Sequence, residues 1–278
     1  MNQTIDRTAQ IGLLSQEWNT IEALVAPLDE AGWRTPSALP GWTVFDLVAH
    51  VVGAESWLLG EQPPAHDPSR PKVDVRSLTH VRNDTAVANE IWVDRLRPLS
   101  GAELLERYRD VTSRRCAALR AMDDATWANV TMSPVGSVSY GRFMQVRFFD
   151  CWMHELDIAD ALGVHVEEGG PRGELAFTEL AGGVPRAVVK QGGAPQGARI
   201  TFALTGPLAK TLCIQVAGRA SYVDSFDSPA TVEITMDSGL FVRLASGRTT
   251  AAEHADKITV NGDAELGRQL VGHLAFIM

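Results

Sequence analysis

Residues 35–60 read TPSALPGWTVFDLVAHVVGAESWLLG, and the punctuation of this stretch decides the fold of the first half of the chain. Pro36, Pro40 and Gly41 break whatever precedes them. Thr43-Val-Phe-Asp46 then has the spacing of a capping box, in which the hydroxyl and the carboxylate satisfy the free amides of a new helix. The helix is predicted to run to about Leu59 and to end near Gly60. His50 interrupts its apolar run, with Val48, Val51 and Val52 around it. An imidazole in that setting is partly buried, and its ring nitrogens need partners.

Working outward, residues 7–30 place Ile11, Leu14, Trp18, Ile21, Leu24, Val25 and Leu28 on one stripe at three- and four-residue steps, which predicts a helix. Residues 61–79 hold four prolines and read as a long connection, followed by a helix over 81–97. Ser100-Gly-Ala-Glu103 is a second capping box, opening a helix that carries Leu104, Leu105, Tyr108, Val111 and Leu119. Polar and small residues over 129–138 separate it from a last long helix at 139–162, with Gly163 as its left-handed C-cap.

The character changes at GGPRGE, residues 169–174, which reads as a domain boundary. A helix is predicted over 174–190, and GGAPQG at 192–197 is a break. ARITFALTG, TLCIQVAG, ATVEITM and KITVNG alternate apolar and polar residues as half-buried strands do. Helices over 239–245 and 264–277 interrupt and close this sheet. The expected plan is α + (α+β): a helical bundle over 1–168, then an α+β domain over 169–278. A length of 278 residues suits two domains.

Apolar residues make up 45% and charged residues 21%, the balance of a soluble globular protein. The net charge of -9 argues against a general nucleic-acid binder, which needs basic patches to neutralise phosphates. No apolar run approaches the roughly 20 residues that cross a bilayer, so no membrane partner is expected. MNQTIDRTAQ lacks a secretory pattern. Cys116, Cys151 and Cys213 are odd in number and widely spaced, which suits a reducing cytoplasm and three small buried hydrophobes.

Among the seven histidines, His66, His80, His165 and His254 fall in or beside connections and turns, and read as solvated side chains. His273, on the expected final helix, reads as a packing residue. His154 stands four residues after Asp150, so at about 3.6 residues per turn the two project from one helix face. A carboxylate and an imidazole so placed can chelate one metal ion. The same pair can equally be a plain hydrogen bond or ion pair. Glu155 and Asp157 read as pointing elsewhere, toward the surface or a neighbouring helix.

The pattern P-G-W-T-x-x-D-L-x-x-H within residues 35–60, and RFFDCWMHELDIADALG within 142–163, resemble the mycothiol-dependent maleylpyruvate isomerase family, a branch of the DinB-like metal-binding bundles. FVRLASGR and ITVNGDAELG look like that family's sterol-carrier-like C-terminal domain. The resemblance covers most of the chain. It implies a DinB-like four-helix bundle followed by a small α+β sterol-carrier-like domain, with a metal held at one end of the bundle. It carries the ligands over to His50, Asp150 and His154. The family's isomerase has glutamate where this chain has Asp150, one methylene shorter.

Two imidazoles and a carboxylate, with further positions open, form a catalytic set, and zinc is the preferred divalent ion because it accepts thiolate sulfur. The resemblance implies that the sulfur belongs to mycothiol. A metal-stabilised thiolate would then attack a small electrophilic substrate: expulsion of sulfur after bond rotation gives isomerisation, and retention gives an S-transferase. Cys151 points about 100° around the helix from Asp150 and reads as structural. Arg248, in the ASGR turn, is either a contact for a substrate or cofactor carboxylate, in the catalytic role, or a solvated arginine. Arg147 either tunes Asp150 or pairs elsewhere in the bundle. Trp42, Trp57 and Trp152 either wall an apolar cleft or pack in the core. Two other readings stand beside the thiol enzyme: a metal-dependent hydrolase, and a non-catalytic binder of apolar ligands using the C-terminal domain.

Overall fold

The computed structural model describes residues 6–277, which divide into two compact units, one up to Val166 and one from Glu167. In the first unit α1 (Arg7–Val25) is followed by the single turn α2 (Glu30–Trp33) and by α3 (Val44–Leu58). Then come α4 (Asp84–Leu96), α5 (Gly101–Ala121), the short α6 (Asp124–Ala128), a hairpin of β1 (Val130–Ser133) and β2 (Gly136–Ser139), and α7 (Tyr140–Leu162). Helix α1 packs on α5 and α7, and α3 packs on the same two, which closes a four-helix bundle; α4 lies against α3. The core is built from the stripes that this packing requires: Ile11, Leu14, Trp18 and Ile21 of α1, Leu47, Val48 and Val51 of α3, Leu104, Tyr108 and Val111 of α5, and Phe148, Trp152 and Leu156 of α7.

The helix starts are where local chemistry puts them. Thr43 and Asp46 form both bonds of a capping box at α3, and Ser100 with Glu103 does the same at α5. Gly163 ends α7 with φ 65°, the left-handed conformation that glycine adopts without Cβ strain. The first helix stops at Val25, five residues short of expectation, because Pro27 follows, and Leu28 of the expected stripe falls in the connection to α2. The stretch over 129–138, expected as a plain separator, contains most of the β1–β2 hairpin, which turns at Pro134 and Val135 and enters β2 at Gly136 with φ 97°.

In the second unit α8 (Gly170–Lys190) begins with Pro171 in its first turn, so GGPRGE lies at a helix start. Strands β3 (Arg199–Thr205), β4 (Lys210–Ala217), β5 (Arg219–Tyr222), β6 (Val232–Asp237) and β7 (Thr259–Gly262) pair in the order β5-β4-β3-β6-β7. Only β3 and β6 run parallel, as the connection between them passes through β4 and β5. The register sets Ile200 beside Ile214 and Phe202 beside Leu212 and Ile234 on the buried face. Helices α9 (Ser238–Ala245) and α10 (Ala264–Gly272) pack on this sheet, with Phe241 edge-on to Phe202 at 5.3 Å. The last helix ends at Gly272 rather than 277, so His273 caps it instead of packing within it. Among the described residues no helix is long and apolar enough to cross a membrane.

Candidate metal centre

Helices α3 and α7 pack together, and the position of His50 on the first brings it against the Asp150–His154 face of the second. His50 Nε2 lies 3.1 Å from Asp150 Oδ2, and His154 Nε2 lies 3.7 Å from Asp150 Oδ1. The two imidazole rings stand edge to face with centroids 5.0 Å apart. One donor atom from each of the three residues lies within 4.8 Å of the others, and among the described residues no second such group of His, Cys, Asp or Glu occurs. A tetrahedral ion bound at about 2.1 Å would spread its donors about 3.4 Å apart; the trio brings one donor atom from each residue to within 4.8 Å of the others, each imidazole approaching a different carboxylate oxygen. Both histidines are buried, whereas the Asp150 side chain is 36% exposed, so the trio opens toward solvent on the carboxylate side.

The electrostatics favour the ligating forms. Burial works to raise the Asp150 carboxyl, but Arg147 first and then the two imidazoles outweigh it and hold the group well below the usual carboxylate range. Burial pushes the His50 imidazole down in spite of Asp150, a shift toward the neutral form that a metal ligand requires. His154 Nδ1 lies 3.1 Å from Asp157 Oδ2, a carboxylate that fixes the ring so that Nε2 faces the trio. The expectation for Asp157 is therefore corrected. Seven residues after Asp150 it returns to within about 20° of the same helix face, and it is buried, as is Glu155.

The remaining candidates separate. Arg147 does both things expected of it: Nη1 donates to Asp150 Oδ2 at 2.5 Å, while Nε and Nη2 donate to Glu55 Oε1 at 3.1 and 2.8 Å. Trp42 stands beside the trio, its ring centroid 5.5 Å from that of His50 and 6.3 Å from that of His154. Its Nε1 donates to the buried Glu90. Trp152 is core, and Trp57 is largely exposed rather than lining the site. Cys151 is buried, and burial foremost pushes its thiol well above the usual range, as suits a structural residue. Arg248 lies in the second unit, half-buried, with Nη1 donating to Ser246 O at 2.8 Å.

His80 departs from the solvated reading, for its Nε2 lies 3.1 Å from Glu90 Oε2. Glu90 also pairs with Arg97 Nη1 at 2.9 Å, so one buried carboxylate ties the proline-rich connection, α4 and the Trp42 loop together. Glu55 and Glu90 were not visible as site residues in the sequence. The only local trace of Glu55 is a charge within the apolar run VVGAES.

The family model of the mycothiol maleylpyruvate isomerase N-terminal domain matches residues 14–159, and that of the MDMPI C-terminal domain matches residues 174–269. A crystal structure of the mycothiol-dependent maleylpyruvate isomerase superposes with a TM-score of 0.60 at 19% identity, over 94% of this chain and 96% of that one. A mutant of that isomerase gives 0.59 at 18% identity and the same coverage. At such identity the likeness is one of fold. Two Mycobacterium tuberculosis proteins described as uncharacterized are each 29% identical over 158 residues, 54% of this chain. The match spans 55% of the length of those relatives.

Proposed function

This chain belongs to the mycothiol maleylpyruvate isomerase family, and from that premise we propose that it is a zinc-dependent enzyme that joins the mycothiol thiol to a small electrophilic substrate. The observation that carries the reading is the trio itself, two buried imidazoles and one half-exposed carboxylate with one donor atom from each within 4.8 Å of the others, open on one side. A zinc ion there would supply Lewis-acid stabilisation of a thiol's conjugate base at neutral pH.

The chain's own residues do the rest. His50, Asp150 and His154 would hold the ion, with Asp157 orienting His154. Trp42 offers an aromatic wall beside the two imidazoles, held in place by Glu90. Arg248 is the proposed partner for a carboxylate of substrate or cofactor, since a guanidinium binds that group through two parallel bonds. In the reaction the thiol gives up its proton and the sulfur adds to an electrophilic alkene carbon, the C=C π pair moving onto the conjugated carbonyl; the pair returns when sulfur is expelled, or the neighbouring carbon takes up the proton when sulfur is retained. Expulsion of the sulfur after rotation gives cis–trans isomerisation, and its retention gives a thioether conjugate.

Metal analysis tests the site. The purified protein is expected to carry about one zinc per chain, and His50→Ala or His154→Ala should lose most of it. Unchanged metal content in both variants sinks the metal centre. Turnover of a generic electrophile with mycothiol, and none with water alone, tests the chemistry; equal turnover without the thiol would make the enzyme a hydrolase instead.

A further inference from the structure

We propose that Arg147, held in a fixed plane by Glu55, is the positioning residue that sets the direction of the Asp150 carboxylate toward a bound ion. The inference rests on the metal centre proposed above and concerns how that centre is built. Asp150 is the most exposed of the three ligands, and the terminal torsion of an aspartate is broad. A half-exposed carboxylate therefore needs an external constraint to present one oxygen in one place.

Arg147 supplies that constraint from one helical turn earlier on α7, through the 2.5 Å bond from Nη1 to Asp150 Oδ2. The guanidinium is planar, with its donors in a rigid fork. Once Nε and Nη2 are both bonded to Glu55 Oε1, the plane is set and Nη1 has a single direction left. Glu55 in turn is fully buried, and its Oε2 accepts from Arg115 Nε at 2.9 Å. Arg115 is steadied by the Tyr140 hydroxyl, 3.1 Å from its Nη2. A chain of alternating charge thus runs Arg115, Glu55, Arg147, Asp150, from α5 through α3 to α7. Each buried arginine in it has a carboxylate partner, which is the condition for keeping such charges out of water. Helix α3 therefore contributes twice: His50 as a ligand, and Glu55 as the support of the ligand on α7.

Arg147→Lys separates geometry from charge, because an ammonium keeps the positive charge beside Asp150 but has no fork to be fixed by Glu55. The experiment measures Zn2+ affinity by competition with a chromogenic chelator, together with the visible spectrum of the Co2+-loaded full chain. Far-UV circular dichroism follows the fold. Arg147→Lys and Arg147→Gln are each expected to weaken Zn2+ binding by about 10- to 100-fold and to alter the Co2+ spectrum while helical content stays at the wild-type level. Wild-type affinity and spectrum in Arg147→Lys would overturn the proposal. If the lysine variant loses its helical signal, Arg147→Gln decides by the same two readings, and unfolding of both makes Arg147 a packing residue and ends the positioning role. A wild-type chain that takes up no Zn2+ defeats the metal centre itself, an outcome distinct from wild type and variants binding alike.

Discussion

A histidine ligand has two nitrogens, and the one turned away from the metal has to be accounted for inside a protein. His154 gives Nδ1 to Asp157, whereas His50 Nδ1 is buried with no hydrogen-bond partner among the described residues. The two imidazoles are therefore anchored unequally, and most of the orientational constraint on the pair falls on Asp157. Asp157→Ala is expected to weaken Zn2+ affinity by about 10- to 100-fold, read by chelator competition with circular dichroism as the control for folding. An affinity equal to that of the wild type would mean that bundle packing alone orients His154. At this scale the sequence was partly legible. Asp150 and His154 share a face by helical spacing, whereas the sequence reading has Asp157 pointing elsewhere, and only the structure shows which carboxylate oxygen meets which nitrogen.

At the scale of elements, the position of the site depends on how closely α3 can approach its neighbours. Gly53 lies on the α4 side of α3, where an added Cβ would come within 2.6 Å of Trp92 Cβ and 2.7 Å of its Cγ. Those atoms sit at the root of a large side chain on α4, with little room to yield. Gly53→Ala gains helix propensity of roughly 1 kcal/mol but is expected to destabilise the chain by about 1–3 kcal/mol through overpacking. Denaturant unfolding checks this, and a stabilised variant would refute the close approach. Capping boxes announced α3 and α5 in the sequence because their bonds span only three residues. The β1–β2 hairpin escaped notice because its strands are four residues each and carry exposed Val130 and Met132 in place of a buried alternating face.

At the scale of the whole molecule, every residue of the proposed metal centre and its supports lies in the first unit, which has its own core. A chain ending at residue 166 is therefore expected to fold as a helical bundle and to bind one Zn2+ with the affinity of the full chain. Loss of binding with helicity retained would mean that residues 167–278 contribute to the centre. What the sequence by itself determined is what near neighbours decide: helix starts and stops, the apolar stripes, the alternating strands of the second unit, and Asp150 with His154 on one face. These follow from covalent geometry and from bonds reaching a few residues. Only the tertiary structure decided that His50 meets Asp150 across 100 residues, that Glu55 fixes Arg147 across 92, and that Glu90 holds Trp42 across 48. Such contacts depend on which helix faces interlock and at what depth. That is set by packing of the whole core and has no signature in any short stretch of the chain.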